Sequence, residues 1–180
     1  MRGAVIGTGA VVHGPVTIGV GAVVGAGSVV INDVPARAIV RGNPAVVVDY
    51  TVDDERASAP VVIPPSEPFA AVDVCGARLV RLPEFSELRG HLAVVQVGDV
   101  LPFAPQRVFF TYRAPNERTR GSHAHRTLHE CLIATGGRLT VVIDNGAERA
   151  QVTLEDPTLM LHIPPGRWAT LYAFGTYTTL

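Results

Sequence analysis

Residues 120–130 read Arg120-Gly121-Ser122-His123-Ala124-His125-Arg126-Thr127-Leu128-His129-Glu130. Three of the chain's six histidines fall within these eleven residues. His123 and His125 are two apart, so on a strand they share a face. Two inward imidazoles are costly without a role, which marks them as candidate site residues. Short apolar runs split by turn signals surround the stretch. They are Arg78–Leu82, Leu92–Val97, Arg107–Tyr112, Glu130–Thr135, Leu139–Asp144, Gln151–Leu154, Leu159–Ile163 and Thr170–Phe174. Asn145-Gly146 is a strong hairpin turn. Eight short strands without a helical pattern predict an all-β antiparallel barrel or jelly roll.

Upstream the order changes. From Gly3 to Asn32 there is no charged residue, and glycine recurs too often for a membrane helix or a signal peptide. The period is six: Ile6, Val12, Ile18, Val24 and Val30 form one row, and Ala4, Ala10, Val16, Ala22 and Ser28 a second. An aliphatic residue every six predicts a three-sided parallel coil with one inward residue per side. Small residues and glycines are then expected at the corners. The row of Val11, Val23 and Val29 is expected to lie partly outside. Asp53, Asp54, Glu55 and Arg56, followed by Pro60, Pro64, Pro65 and Pro68, read as a linker. The expected organisation is a coil at 1–48, a linker at 49–70 and a barrel at 71–180.

Composition narrows the function. Apolar residues make up 47% of the 180 residues and charged ones 17%, which excludes a disordered chain. The net charge of -1 gives no basic footprint, so neither nucleic acid nor a membrane is an expected partner. All fifteen basic residues are arginine, which removes Schiff-base chemistry, a lysine base and a P-loop. Cys75 and Cys131 cannot build a disulfide framework, and a cytoplasmic location fits.

Two resemblances carry the reading further. Val24-Gly25-Ala26-Gly27-Ser28-Val29-Val30, Asp33-Val34-Pro35 and Gly42-Asn43-Pro44-Ala45 resemble the last coils of left-handed β-helix, hexapeptide-repeat acyltransferases, over about residues 3–48. That likeness implies a trimer with acetyl-CoA between neighbouring coils. The catalytic histidine of such enzymes lies in earlier coils, and His13 sits at a repeat corner. The coil is therefore expected to be a remnant without acetyltransferase activity, acetyl-CoA being a ligand only of an active coil. Further on, His123, His125, Glu130 and Gly137 match the cupin pattern of His-x-His, four residues, Glu, six residues, Gly. A second cupin motif, Pro-x-Gly-x-x-His, is visible as Pro164-Pro165-Gly166-Arg167-Trp168-Ala169, with alanine in place of its histidine.

Arg89-Gly90-His91-Leu92, Leu101-Pro102-Phe103, Arg107-Val108-Phe109-Phe110-Thr111-Tyr112 and Arg120–Arg126 run in the order of the WxcM-like, FdtA/QdtA-type nucleotide-sugar 3,4-ketoisomerases. The resemblance covers about residues 76–180. It implies a metal-free, cofactor-free isomerase that moves the ketone of dTDP-4-keto-6-deoxyglucose from C4 to C3, and a homodimer through the cupin. Members fused to a β-helix N-acetyltransferase have the order seen here. Histidine suits the proton transfer because it accepts and releases protons near neutral pH. By resemblance His125 takes the carbon proton, with His123 moving protons between the oxygens. Arg120 suits orienting the sugar or holding the diphosphate, and Arg107 is a further candidate to reach the nucleotide. Tyr112 either donates to the enediolate or packs as a rim tyrosine. Trp168 either stacks on a ligand ring or caps the barrel. Two rival readings stay open: an iron-dependent dioxygenase on His123, His125 and Glu130, and a non-catalytic sugar-binding cupin. The family's further C-terminal strand and tyrosine-rich tail are missing, so a shortened barrel with an unpaired edge is expected.

Overall fold

The computed structural model describes residues 3–51, 71–115 and 119–180. The charge cluster and prolines of the expected linker lie outside the described residues. Every regular element among the described residues is a strand, as the turn-punctuated pattern predicts.

The first part is built from β1 (Val5–Ile6), β2 (Val11–Val12), β3 (Val23–Val24), β4 (Val29–Val30), β5 (Ala38–Arg41) and β6 (Val46–Tyr50). β1 pairs with β3 in parallel, Val5 opposite Val23, and β2 pairs with β4, Val11 opposite Val29. A third side is marked by the parallel bridge Ile18–Val34. Register offsets of eighteen residues are three sides of six. Gly19 shows why the repeat needs glycine: a Cβ there would stand 2.3 Å from the backbone N of Ala36 in the next turn of chain. β6 closes the coil antiparallel to β5 and ends at Tyr50, two residues past the expected boundary. Two expectations are corrected. The small residues Ala22 and Ser28 are fully buried inside the coil rather than at corners, which fall at the turns beside Gly9, Gly21 and Gly27. In the aliphatic row Ile18, Val24 and Val30 are buried, whereas Ile6 and Val12, on the first described strands, are exposed. In the neighbouring row Val11 is exposed, while Val23 and Val29 are half-buried.

The second part is two facing antiparallel sheets. One has the order β11 (Arg120–Ala124), β16 (Trp168–Tyr172), β13 (Leu139–Asp144), β14 (Arg149–Leu154). The other has the order β12 (Glu130–Leu132), β15 (Leu159–Ile163), β8 (Ala77–Arg81), β7 (Ala71–Val74). Period-two alternation builds the core between them. Leu139, Val141 and Ile143 of β13 and Ala150, Val152 and Leu154 of β14 meet Ala77, Leu79, Leu161 and Ile163 of the opposite sheet. Each large apolar side chain buried there contributes roughly 1.5–3 kcal/mol. The outward residues are covered as well. Val142 and Tyr172 pack under the coil, where Tyr50 meets Tyr172 edge to face at 5.3 Å. Val80 and Met160 pack under Leu82 and Leu101. A hairpin, β9 (Glu84–Glu87) with β10 (Gly90–Ala93), forms a separate two-stranded sheet with almost every side chain exposed.

Two strand expectations change. The run Leu92–Val97 is strand only to Ala93. Arg107–Tyr112 forms no strand: only Tyr112 makes a bridge, to Thr179, while Thr111 and Leu180 exchange backbone hydrogen bonds. Thr179 also bridges Gly136 on its other side, so the final residues sit between two segments of chain.

Candidate functional site

A cavity of about 580 Å³ opens at one end of the facing sheets. Its central groups are His123 and His125, whose Nε2 atoms lie 3.2 Å apart with rings at 80°. A bulge places them. The register of β11 against β16 shifts between Gly121 and His123, and both Gly121 and Ser122 have positive φ. A bulge adds a residue and re-aims the side chains beyond it. Ser122 turns to the outer face, 3.3 Å from Thr170 Oγ1, and His123 turns inward opposite Ala169. Gly121 cannot carry a side chain, since a Cβ would meet the Ala169 carbonyl oxygen at 2.9 Å. Ala169, which interrupts the second cupin motif, faces His123 across the ladder and lines the same cavity. His125 follows β11, and its carbonyl accepts the Gly166 N–H at 2.8 Å, tying it to the turn before β16.

Arg107, Arg120 and Glu130 also line the cavity, so five of the expected residues come together there. Two imidazoles at 3.2 Å are held by one N–H facing one lone pair, since two protonated rings would repel. The pair brings together ring nitrogens that can donate or accept protons according to tautomer, with two guanidinium groups in the same cavity to receive an anion. Two residues lie outside this cavity. Tyr112 is 63% exposed and outside the cavity wall; Thr111 lines it instead, because that segment is not an alternating strand. Trp168 lies on the outer face of β16, its Nε1 donating to Thr170 Oγ1 at 3.2 Å, and lines the cleft toward the coil. The iron reading needs Glu130 to converge with His123 and His125. No group of three His, Cys, Asp or Glu side chains converges in this way among the described residues.

Sequence reasoning missed a second histidine pair. His129 Nδ1 lies 3.0 Å from His162 Nε2, with the rings stacked at 5.2 Å. His129 lines the cavity, whereas His162 on β15 is buried, and Phe103 tilts against both rings. Burial, then His129, then Arg78 hold His162 below the ordinary histidine pKa. The two residues are 33 apart in sequence, so only the order of strands β12 and β15 joins them. Nearby, burial and then Glu130 push the Cys131 thiol up to about 12, which leaves it inert as a nucleophile.

Residues 75–180 match the family described as WxcM-like, C-terminal. The chain belongs to that family. Among curated relatives of this WxcM-like protein is the TDP-4-oxo-6-deoxy-alpha-D-glucose-3,4-oxoisomerase of Aneurinibacillus thermoaerophilus. It is 26% identical over 99 residues, 55% of this chain and 71% of the relative. The sugar 3,4-ketoisomerase QdtA of Thermoanaerobacterium thermosaccharolyticum, solved with TDP, is 26% identical with a TM-score of 0.56, over 57% of this chain and 75% of QdtA. A QdtA mutant solved with TDP-4-keto-6-deoxyglucose is 24% identical with a TM-score of 0.57, over 59% and 78% of the two chains, and shows the same fold. No helix among the described residues is long and apolar enough to cross a membrane.

Proposed function

We propose that this WxcM-like protein is a 3,4-ketoisomerase acting on dTDP-4-keto-6-deoxyglucose, with His123 and His125 as its proton carriers. The observation that carries the assignment of roles is the 3.2 Å approach of the two Nε2 atoms inside a cavity that also holds Arg107 and Arg120. In the substrate the C3 hydrogen is acidic because the C4 carbonyl accepts the electron pair. His125 removes that proton, and the pair of electrons forms the C3–C4 double bond while O4 becomes an enediolate oxygen. His123 carries the O3 proton to O4. The electron pair then returns through O3, and His125 delivers its proton to C4. Atoms and charge balance, no oxidant is consumed, and the chemistry asks for no cofactor. Arg120 and Arg107 hold the diphosphate. Conversion is read by NMR of the purified chain with dTDP-4-keto-6-deoxyglucose: a 3-keto-6-deoxyhexose product supports the reading, and unchanged substrate defeats it.

The same proposal covers the rest of the chain. The eighteen-residue parallel register supports a left-handed β-helix end, and its exposed Val5, Ile6, Val11 and Val12 support packing on further copies as a trimer; acetyl-CoA is a ligand only of an active coil, and we infer that this one is inactive. The exposed hairpin of β9 and β10, with Phe85, Leu88 and Leu92 in solvent, supports a homodimer through the cupin. A cytoplasmic location agrees with the two free cysteines.

A further inference from the structure

Behind the His123–His125 pair lies a second, larger opening. β11 and β16 turn Ser122, Trp168 and Thr170 to the face opposite His123 and Ala169. These side chains form one wall of a cleft of about 1030 Å³, and Thr17, Asp33 and Tyr50 of the coil form the other. Trp168 is 47% exposed, a flat apolar surface on an otherwise polar wall. Its ring is already held, because Nε1 donates to Thr170 Oγ1 at 3.2 Å, so a ligand would not have to order it. The charges decide what can stack there. Asp33, Asp144 and Arg149 are the charged residues lining the cleft. Arg149 is committed to Asp144, its Nε and Nη2 donating to Oδ2 at 3.0 and 2.8 Å. Asp33 is then the uncompensated charge, so a phosphate or carboxylate is repelled. Hydrogen bonding remains. Asp33 Oδ1 accepts the Thr17 N–H at 2.6 Å, which orients the carboxylate and leaves Oδ2 to accept from a ligand. Arg149 Nη1 is buried with no hydrogen-bond partner among the described residues, an orphaned donor. A flat apolar surface, an acceptor and a donor match a pyranose, whose C–H face packs on an aromatic ring while its hydroxyls both donate and accept. The volume lies at the upper end for small-molecule sites and admits more than one such ring.

We propose that this cleft is a saccharide-binding site, in which an uncharged sugar ring stacks on Trp168 and its hydroxyls are held by Asp33 and Arg149. The site is separate from the cavity of His123 and His125, since β11 and β16 lie between them. It stands whether or not the isomerase reading does.

Trp168 is the chain's only tryptophan, so the intrinsic tryptophan fluorescence of the full chain reports on this wall alone. Titration with methyl β-D-glucoside and with maltose should give a saturable change in emission, with a midpoint of about 1–10 mM, undiminished by added TDP. Glycerol, which has hydroxyls and no ring to stack, should give none. Asp33→Ala changes an exposed residue and should weaken sugar binding roughly three- to tenfold by the same signal. Trp168→Ala should weaken it at least as much, read by ligand-observed NMR. No saturable change with either sugar overturns the site. An equal response to glycerol, displacement of the sugar by TDP, or full sugar affinity in either variant overturns it too. Unchanged dTDP-4-keto-6-deoxyglucose, with this titration intact, defeats only the isomerase reading.

Discussion

Among single residues, His123 and His125 face the cavity, whereas Trp168, near them in the fold, faces the other side of the sheet. His125→Asn keeps the side chain's size and removes its base; conversion should fall by about 10²–10⁴, the usual worth of a positioned acid or base, with circular dichroism unchanged. Trp168→Phe should leave TDP affinity within about twofold by calorimetric titration, since Trp168 donates to Thr170 on the opposite face of the sheet. A tenfold loss of affinity would show that Trp168 reaches the ligand. His123 and His125 were legible because a spacing of two on a strand dictates a shared face. Tyr112 marks the limit of that rule, because spacing dictates a face only on a strand and Arg107–Tyr112 forms none.

Among the elements, β11 is the one on which function depends. Its bulge at Gly121 aims the histidines, and a Cβ at that position collides with a carbonyl oxygen while forcing an L-residue to positive φ. Gly121→Ala should therefore depress conversion at least tenfold in protein that still unfolds cooperatively in urea. Wild-type turnover in that variant would remove the bulge from the account. β14 is the contrasting case: Leu154 is fully buried between the sheets, so Leu154→Ala should cost about 2–5 kcal/mol of stability, read as a lower urea midpoint. The alternation of β14 and the apolar runs of β13 and β15, set off by turn signals, made those strands legible from local sequence alone. The coil's period of six was legible too. That the aliphatic row lies inside was legible as well, but burial of Ala22 and Ser28 beside it was not, because it depends on how successive turns of chain stack. The His129–His162 pair was likewise invisible, since it is made by the pairing of β12 with β15 and by no local signal.

For the whole molecule, acid sensitivity follows from two groups with opposite charges. His162 is held below its ordinary pKa, with His129, Cys131, Arg78 and Glu130 as the ionisable neighbours. Between its folded and unfolded pKa values the unfolded chain binds more protons, so stability falls as pH drops below about 6.5. His162→Leu should flatten that limb of a urea midpoint-versus-pH curve; an unaltered limb would show that His162 is not its source. Asp156 acts at lower pH. Burial alone would raise its pKa, but hydrogen bonds from Thr158 and Arg81 bring it below the ordinary value. Its contribution is present above the unfolded carboxylate range and is lost as pH falls through the folded value. The central claim, that protons move between C3 and C4 through the histidine pair, is tested most directly in deuterium oxide. The chain is incubated with dTDP-4-keto-6-deoxyglucose and label at C3 and C4 is followed by NMR and mass spectrometry. The account predicts deuterium at C3 of recovered substrate or C4 of product with the wild-type chain, and none with His125→Asn. Wild-type protein that binds the nucleotide sugar yet neither converts it nor labels either carbon would contradict it.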